Sequence, residues 1–252
     1  MVIIKNQKEI GAIRQSCRLA AETLKWVGSL IRPGISTLYL NDNAHHYLVE
    51  HGGVPAPLHY NGYPKSICTS VNDVVCHGIP SDKTILKNGD IINIDITAIL
   101  DGYYGDVSAS YPVGQISPKA EKLLKVVKDA LDKSIKALKP GKYLNECVGQ
   151  VIEPYVKKFG FSVVRELGGH GVGLQFHEEP FVYHFDIKRK DILLEPGMIF
   201  TIEPMVNCSR DWRIVLNSKD HWTVTTRDGS LSAQFEHTIL ITPTGHEVLT
   251  AI

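Results

Sequence analysis

The 252-residue sequence lacks an excess of either charge. Lys plus Arg and Asp plus Glu both number 27, and no basic run is longer than "KRK" at 188–190. Proteins that bind nucleic acids or anionic membranes usually carry a basic stripe or tail. The composition therefore disfavours binding to a polyanion, and a hydrophobic content of 43% is typical of an ordinary globular protein.

Long apolar runs and paired cysteines are also absent. Charge begins at Lys5, too early for the apolar region of a signal peptide, and no apolar run is long enough to span a bilayer. The odd cysteine count and the lack of a C-x-x-C pair disfavour a disulfide framework and a thiolate zinc site. These features predict a protein of the cytoplasm. The cysteines are Cys17, Cys68, Cys76, Cys147 and Cys208.

Two pairs of helical segments follow one another along the chain. Residues 6–31 and 119–138 have apolar residues at helical spacing, and each stretch ends at a Pro-Gly pair that stops a helix. A second helical stretch follows each stop, at 37–50 and at 144–158. The pattern indicates that the chain consists of two related halves.

A strand pattern repeats at the same interval. "LKNGDIINID" (86–95) aligns without a gap with "LEPGMIFTIE" (194–203) at an offset of 108, which superposes Asp95 on Glu203. Although L-x-x-G-x-I is also a common turn-into-strand pattern, the matching Pro-Gly stops favour an internal repeat. We therefore expect one domain over 1–252 with two αα-β units, about 1–115 and 116–252, and with the equivalent acids meeting near a pseudo-twofold axis.

Asp95 lies in the middle of a strand that is otherwise apolar. Alternation over residues 91–99 puts Asp95 on the more polar face, with Asn93 and Thr97. The dipeptide at 101–102, Asp-Gly, favours a two-residue hairpin turn, which would pair Thr97 with Asp106. The two carboxylates would then be diagonal neighbours, about 7–8 Å apart at the backbone and close enough to share an ion. A loop longer by one residue would shift the pairing and place the two aspartates on opposite faces of the hairpin.

Two further acids, Glu203 and Glu236, lie in runs of strand composition, "GMIFTIEP" and "LSAQFEHTILIT". Four converging carboxylates without cations would be costly to desolvate. Two divalent cations would balance their charge, and carboxylates with one or two histidines are suitable ligands for Mn, Fe, Co or Zn. The acids therefore predict a metal centre.

Three histidines lie in contexts that suit a site. "ELGGHGVG" (166–173) places His170 among four glycines, where backbone can approach a ligand closely. No helix pattern follows, so a dinucleotide-binding loop is disfavoured. His77 and His177 each lie beside a turn former. We interpret the other histidines considered, His45, His46, His184 and His246, as structural.

Six motifs give the chain a family resemblance. In order they are "VVCHGIP", "NIDI…GYYGD", "GGHGVG", "FHEEP", "FTIEPM" and "SAQFEHT". Their order and spacing resemble the type I methionine aminopeptidases, which have the pita-bread fold, and the resemblance covers nearly the whole chain. With no zinc-finger extension and no long insertion, the sequence is similar to the short bacterial form. The resemblance implies an α+β fold, a central antiparallel sheet flanked by helices, and a single catalytic domain.

The resemblance also assigns roles, motif by motif. It implies two divalent ions (Co, Mn, Fe or Zn), catalytic roles for His77, His177 and Glu203, and a substrate pocket that includes both histidines. The implied metal ligands are Asp95, Asp106, His170, Glu203 and Glu236. The pocket is completed by Tyr60, Tyr63, Cys68, Phe176 and Trp222. Pro57 and Asn61 depart from the commoner bacterial form, which leaves fine specificity open.

The implied activity is removal of an N-terminal methionine, before a small second residue, from peptides and nascent proteins. As a hypothesis, a metal-bridged hydroxide attacks the carbonyl, Glu203 relays a proton and His177 stabilises the oxyanion. We expect a monomer that contacts the ribosome transiently, without membrane binding or specific nucleic-acid binding.

Two alternatives belong to other functional classes. Prolidase and aminopeptidase P share the fold but normally carry an additional N-terminal domain, for which the stretch before the first helix leaves no room. A binding module of the same fold would have lost metal ligands, whereas all five are present here. The physiological metal and the reactivity of Cys68 and Cys76 are left open by the sequence.

Overall fold

The computed structural model describes residues 2–251, which form an α+β arrangement of five α-helices and fifteen strands. The helices are α1 (Gln7–Leu30), α2 (Thr37–Glu50), α3 (Pro118–Ala137), α4 (Leu144–Cys147) and α5 (Gly149–Lys157). The strands are β1 (Val54–Pro55), β2 (Cys68–Val71), β3 (Val74–Cys76), β4 (Ile91–Leu100), β5 (Tyr103–Pro112), β6 (Ser162–Val163), β7 (Gly169–Gly171), β8 (Glu178–Val182), β9 (Ile199–Ile202), β10 (Met205–Asn207), β11 (Ile214–Leu216), β12 (Val224–Thr226), β13 (Ser232–Gln234), β14 (His237–Ile241) and β15 (His246–Val248). Within the described range no helix is both long and apolar enough to cross a membrane.

The predicted helices are present, with one difference. Asn6 caps α1 by accepting the backbone N–H groups of Lys8 and Glu9, both at 3.0 Å, and the Glu9 carboxylate accepts the Asn6 N–H at 2.8 Å. The predicted stretch 144–158 is divided into α4 and α5 because Val148, with φ −110° and ψ −77°, departs from helical geometry. The helical expectation for the other three stretches is confirmed to within a residue.

Two hydrophobic cores lie under the two pairs of helices. In the first half, α1 packs on β4 and α2 packs beside α1 against β1 and β2, in a core that includes Ile92, Ile94 and Ile96. In the second half, α3 and α5 pack on each other and on β13 and β6, in a core that includes Phe200 and Ile239. The strands form four antiparallel sheets with the orders β1-β4-β2 (with β5 beside β4), β15-β14-β9-β7-β8, β13-β10-β6 and β11-β12-β3.

Equivalent hydrogen bonds recur in the two halves. The Gly34 N–H donates to the Leu86 carbonyl at 2.8 Å, and the Gly141 N–H donates to the Leu194 carbonyl at 2.9 Å. Ahead of β4 and β9, the backbone turns at glycines 89 and 197, with φ of +99° and +92°. These matches support the internal repeat, and we propose residue 115 as the approximate boundary between its units.

The hairpin register agrees with the prediction. Thr97 lies opposite Asp106, and Asp95 lies opposite Ser108. The turn residues Asp101 and Gly102 have φ of 51° and 83°, as a two-residue turn with two left-handed positions requires. The two aspartates therefore share one face of the β4–β5 hairpin.

Both predicted glutamates lie at breaks between strands. Glu203 separates β9 from β10, and Glu236 separates β13 from β14. At each break the chain passes from one sheet to another, and Pro204 beside Glu203 has no N–H to continue a ladder. The run 231–242, predicted from its composition as strand, is thus divided at its acid.

Candidate metal centre and substrate cavity

A cavity of about 700 Å³ opens beside the β4–β5 hairpin. Its wall includes every residue that the sequence predicts for the site, from both halves of the chain. The predicted metal ligands lie along one part of the wall and the predicted substrate pocket lies along another. The structure therefore brings the whole predicted set together, although it does not by itself assign their roles.

Three carboxylates form the centre of the acidic part. Oxygen atoms of Asp95, Asp106 and Glu236 lie within 4.8 Å of one another. His170 connects this group to Glu203, because its Nε2 lies 3.7 Å from Asp106 Oδ2 and 3.7 Å from Glu203 Oε1. One imidazole nitrogen and four carboxylates thus converge on one small volume.

Burial leaves these acids without adequate solvation. It raises the pKa of Asp95 to about 7. Burial together with repulsion from neighbouring carboxylates raises the pKa values of Asp106, Glu203 and Glu236 well above their usual range. Such a group of acids is ionised at neutral pH only if cations compensate the charge.

The donor set fits divalent cations. Burial lowers the pKa of His170 to about 4, so the ring is neutral. Its Nδ1 is 3.0 Å from the Gly171 carbonyl and donates to it, which leaves the Nε2 lone pair directed toward the acids. Neutral imidazole and carboxylates are the ligands that divalent transition-metal ions prefer.

Three supporting side chains orient the carboxylates. Thr97 Oγ1 donates to Asp106 Oδ1 at 2.8 Å, and Thr201 Oγ1 donates to Glu203 Oε1 at 2.7 Å. Gln234 Nε2 donates to the second oxygen of Glu203 at 3.0 Å. Thr97 was expected on this face, whereas Thr201 and Gln234 were not identified. The available sequence signal was Thr201, two residues before Glu203.

His184 has a connection to the site that its local sequence does not show. Its Nε2 accepts the backbone N–H of Glu203 at 3.0 Å, and its side chain is buried. Burial lowers the pKa of His184 to about 3, so the ring is neutral and can accept this hydrogen bond. His184 is therefore structural, as predicted, and its specific role is to fix the backbone at Glu203.

Aromatic rings form the other part of the cavity wall. Tyr63 and Trp222 meet edge to face with 5.2 Å between centroids, and Trp222 meets His77 in the same way at 6.0 Å. Across the cavity, the Tyr60 ring lies 4.8 Å from that of Phe176. An apolar side chain of moderate width would be bounded by rings on several sides.

Two buried thiols line the same cavity. Burial raises the pKa values of Cys68 and Cys76 well above the usual thiol range. Both side chains are therefore protonated at neutral pH and are poor nucleophiles. Cys68 faces Asp95 across the β2–β4 ladder, so it contributes to the shape of the wall next to the acids.

His177 lies at the exposed rim, between the two parts of the wall. Its ring is 4.2 Å from that of His170 and 4.3 Å from that of Phe176, centroid to centroid. The Tyr60 hydroxyl is 3.0 Å from His177 Nδ1. Partial burial, reinforced by His170 and His77, lowers the pKa of His177, so its ring is neutral.

Comparison with known proteins identifies the class. The sequence model of metallopeptidase family M24 matches residues 11–243, and the chain belongs to that family. It is thus a metallopeptidase, a hydrolase of peptide bonds that uses divalent metal, as predicted. Methionine aminopeptidase A of Synechocystis sp. is 49% identical over 249 residues, which cover 99% of this chain and 97% of that protein.

Solved structures agree. The crystal structure of methionine aminopeptidase from Rickettsia prowazekii is 47% identical, with a TM-score of 0.96 and 100% of both chains covered. Prolidase from Pyrococcus furiosus has a TM-score of 0.79 at 24% identity, and the match covers 99% of this chain but 66% of that one. The second likeness shows the fold alone. Together these neighbours confirm the predicted pita-bread fold.

Proposed function

We propose that this chain removes the N-terminal methionine from peptides and nascent proteins, with a preference for a small second residue. The observation that carries the proposal is the group of carboxylates and His170 beside a cavity walled by aromatic rings. Relatives named methionine aminopeptidase, nearly half identical over almost the full chain, support the same substrate.

The five predicted ligands would hold two divalent ions, with Co, Mn, Fe or Zn as the candidates. Such ions, when bound, supply a hydroxide near neutral pH and polarise a carbonyl. Asp106 and Glu236 would be shared by the two ions, and their oxygens lie within 4.8 Å of each other and of Asp95. The choice among these metals follows from their availability as well as from the ligands.

Glu203 is the proposed carrier of the proton. Glu203 would accept a proton from the attacking water and donate it to the leaving amine. Thr201 and Gln234 donate to one oxygen each, which holds the carboxylate in a single orientation. The substrate amine would lie next to Asp95.

His177 and His77 are the proposed partners of the substrate carbonyl and backbone. When Tyr60 donates its hydroxyl proton to His177 Nδ1, the ring carries its own proton on Nε2 and donates it to the developing oxyanion. His77 also lines the cavity, and its ring meets that of Trp222 edge to face with 6.0 Å between centroids. His77 would assist the attack.

The ring-lined part of the cavity is the proposed methionine pocket. An unbranched thioether makes favourable contacts with aromatic faces and edges, which Tyr63, Phe176 and Trp222 supply. Pro57 and Asn61 also line the cavity, so their departure from the commoner bacterial residues bears on fine specificity. We propose the cytoplasm as the location, in keeping with five buried free thiols, and a monomer with transient ribosome contact.

The test is an assay of metal-stripped protein on Met-Ala-Ser and Leu-Ala-Ser, with Mn(II), Fe(II), Co(II) or Zn(II) added back singly. We expect release of methionine alone, and only with metal. An X-Pro peptide and Ala-Pro in the same panel detect prolidase or aminopeptidase P activity. Cleavage of these and not of Met-Ala-Ser would overturn the proposed substrate, and no cleavage with any metal would favour a binding module.

A further inference from the structure

We propose that Lys5 is a positioning residue for the substrate site. Its buried ion pair with Glu178 holds the loop 174–178 so that Phe176 and His177 face the cavity. The inference rests on the proposed function, in which these two side chains contact the substrate. It adds a role for the segment before the first helix, which no sequence motif suggested.

The ion pair is more deeply buried than the other ion pairs among the described residues. Lys5 Nζ contacts Glu178 Oε2, and the two side chains are 0% and 2% exposed. Lys5 Nζ also donates to the Ile3 carbonyl at 3.3 Å. A buried lysine is rarely retained unless it is paired, and removal of one partner leaves the other charge unsolvated. Lys5 and Glu178 therefore depend on each other.

The other oxygen of Glu178 organises the loop itself. Oε1 accepts the backbone N–H groups of Leu174 at 2.7 Å and Gln175 at 2.8 Å. Phe176 and His177 lie between these amides and Glu178 in the chain, so the carboxylate closes the loop around them. With Oε2 bound by Lys5, the loop is tied both to itself and to the N-terminal segment.

The backbone of Lys5 is in turn hydrogen-bonded to the turn that precedes β9. Its backbone N–H donates to the Gly197 carbonyl at 2.9 Å, two residues before β9 begins and six before Glu203. At the start of the loop, Gly173 packs so closely on α1 that a Cβ there would lie 2.5 Å from Ile13 Cδ1. The segment 3–5 thus connects the strand that leads to Glu203 with the loop that carries His177.

The central test is a double-mutant cycle between Lys5→Met and His177→Ala, assayed on Met-Ala-Ser with metal. Lys5→Met should lower kcat/KM on the order of 10- to 100-fold, as small misplacements of catalytic groups do. If Lys5 acts through the loop, adding Lys5→Met to His177→Ala should cost little more than His177→Ala alone. Because Lys5 also positions Phe176, a small part of the loss should remain in the His177→Ala background. Effects of the two substitutions that multiply in full, or a Lys5→Met variant with wild-type kcat/KM, would overturn the proposal.

A second measurement does not depend on activity. Hydrogen exchange of the Leu174 and Gln175 amides should be at least about tenfold faster in Lys5→Met, while residues 199–202 of β9 keep their protection. The matched control is Arg14→Met, which breaks the exposed Arg14–Glu247 pair between α1 and β15 and should change neither exchange nor kcat/KM. Unchanged exchange at 174–175 in Lys5→Met would overturn the proposal.

The two proposals fail in distinguishable ways. If the wild-type protein does not release methionine with any metal, the proposed function fails, while the exchange comparison still decides whether Lys5 holds the loop. If Lys5→Met does not fold, Lys5→Met combined with Glu178→Gln removes both buried charges at once and takes its place in the cycle. Wild-type kcat/KM and exchange in that variant would count against the proposal.

Discussion

In the first half of the molecule, Asp95 and Asp106 lie on one uninterrupted hairpin, whereas in the second half Glu203 and Glu236 lie at breaks between strands. The hairpin sets the spacing of its aspartates by backbone register. At its break, Glu203 is oriented by the side chains of Thr201 and Gln234, whereas the Glu236 N–H donates to the Ser108 carbonyl of the hairpin at 2.9 Å. The aspartates therefore owe their spacing to strand pairing, and Glu203 owes its orientation to side-chain hydrogen bonds.

The largest effects should come from removing one acid from each half. Asp106→Ala and Glu203→Ala should each reduce methionine release by more than the ~100-fold that loss of a supporting residue typically costs. Both proteins should stay folded, because each substitution removes a buried like charge. Circular dichroism and the peptide assay check this, and wild-type-like rates in either variant would contradict the site assignment.

The buried Asp95 carboxyl should make the metal-free protein lose stability as pH rises. The unfolded Asp95 carboxyl ionises near 3.8, whereas burial holds its folded pKa at about 7. The folded state therefore binds more protons between these values, and the stability present at low pH is lost progressively through pH 7. One pKa unit corresponds to ~1.4 kcal/mol.

Urea unfolding at pH 5 and pH 8 measures this loss as the difference between chelated wild type and chelated Asp95→Asn, and divalent metal should reverse it in the wild type at pH 8. The difference is needed because the buried neutral rings of His170, His177 and His184 contribute stability that rises over the same pH range. Asp106, Glu203 and Glu236 shift in the same direction as Asp95. A wild-type protein that loses no more stability than Asp95→Asn between pH 5 and pH 8 would show that Asp95 is not desolvated as described.

The supporting threonines give a sharper comparison of the halves. Thr201→Val removes the hydroxyl that donates to Glu203 and that accepts the backbone N–H of His170 at 3.0 Å. Thr97→Val removes only the hydroxyl that donates to Asp106. We expect a loss in kcat/KM of roughly 10- to 100-fold for Thr201→Val, and a smaller one for Thr97→Val. Equal losses in kcat/KM would mean that Asp106 depends on the Thr97 hydroxyl as much as Glu203 depends on that of Thr201.

The smallest expected difference lies at the equivalent glycines. Gly89→Ala and Gly197→Ala both force a positive φ on alanine, which costs roughly 1–2 kcal/mol. At Gly89 a Cβ would have room, whereas at Gly197 it would lie 2.7 Å from Ile4 Cγ2 and 3.0 Å from the Lys5 carbonyl. Gly197→Ala should therefore cost about 1 kcal/mol more in urea unfolding. A reversed order would contradict the packing of the N-terminal segment on this turn.

Local patterns predicted much of the fold and the four acids that the structure brings together, whereas the pocket residues came only from the family resemblance. The Asp101–Gly102 turn and the alternation around Asp95 are short-range features, and they sufficed for the hairpin register. The pairing of Lys5 with Glu178, 173 residues apart, cannot be predicted from the sequence around either residue. Glu203 was predicted at the end of its strand, but the break at Glu236 was missed, because a change of sheet is decided by tertiary packing and not by the residues of the strand.

The ties between the two ends of the chain bear on how the protein is made. Arg14 binds Glu247, 233 residues further along, and Lys5 is held against Glu178 and the turn at Gly197. Such contacts close very long loops, so they form late and are associated with slow folding. A chain that is still being synthesised and has not yet reached Glu236 lacks one proposed ligand together with β14 and β15. Activity should consequently arise only after these strands have been made and have paired.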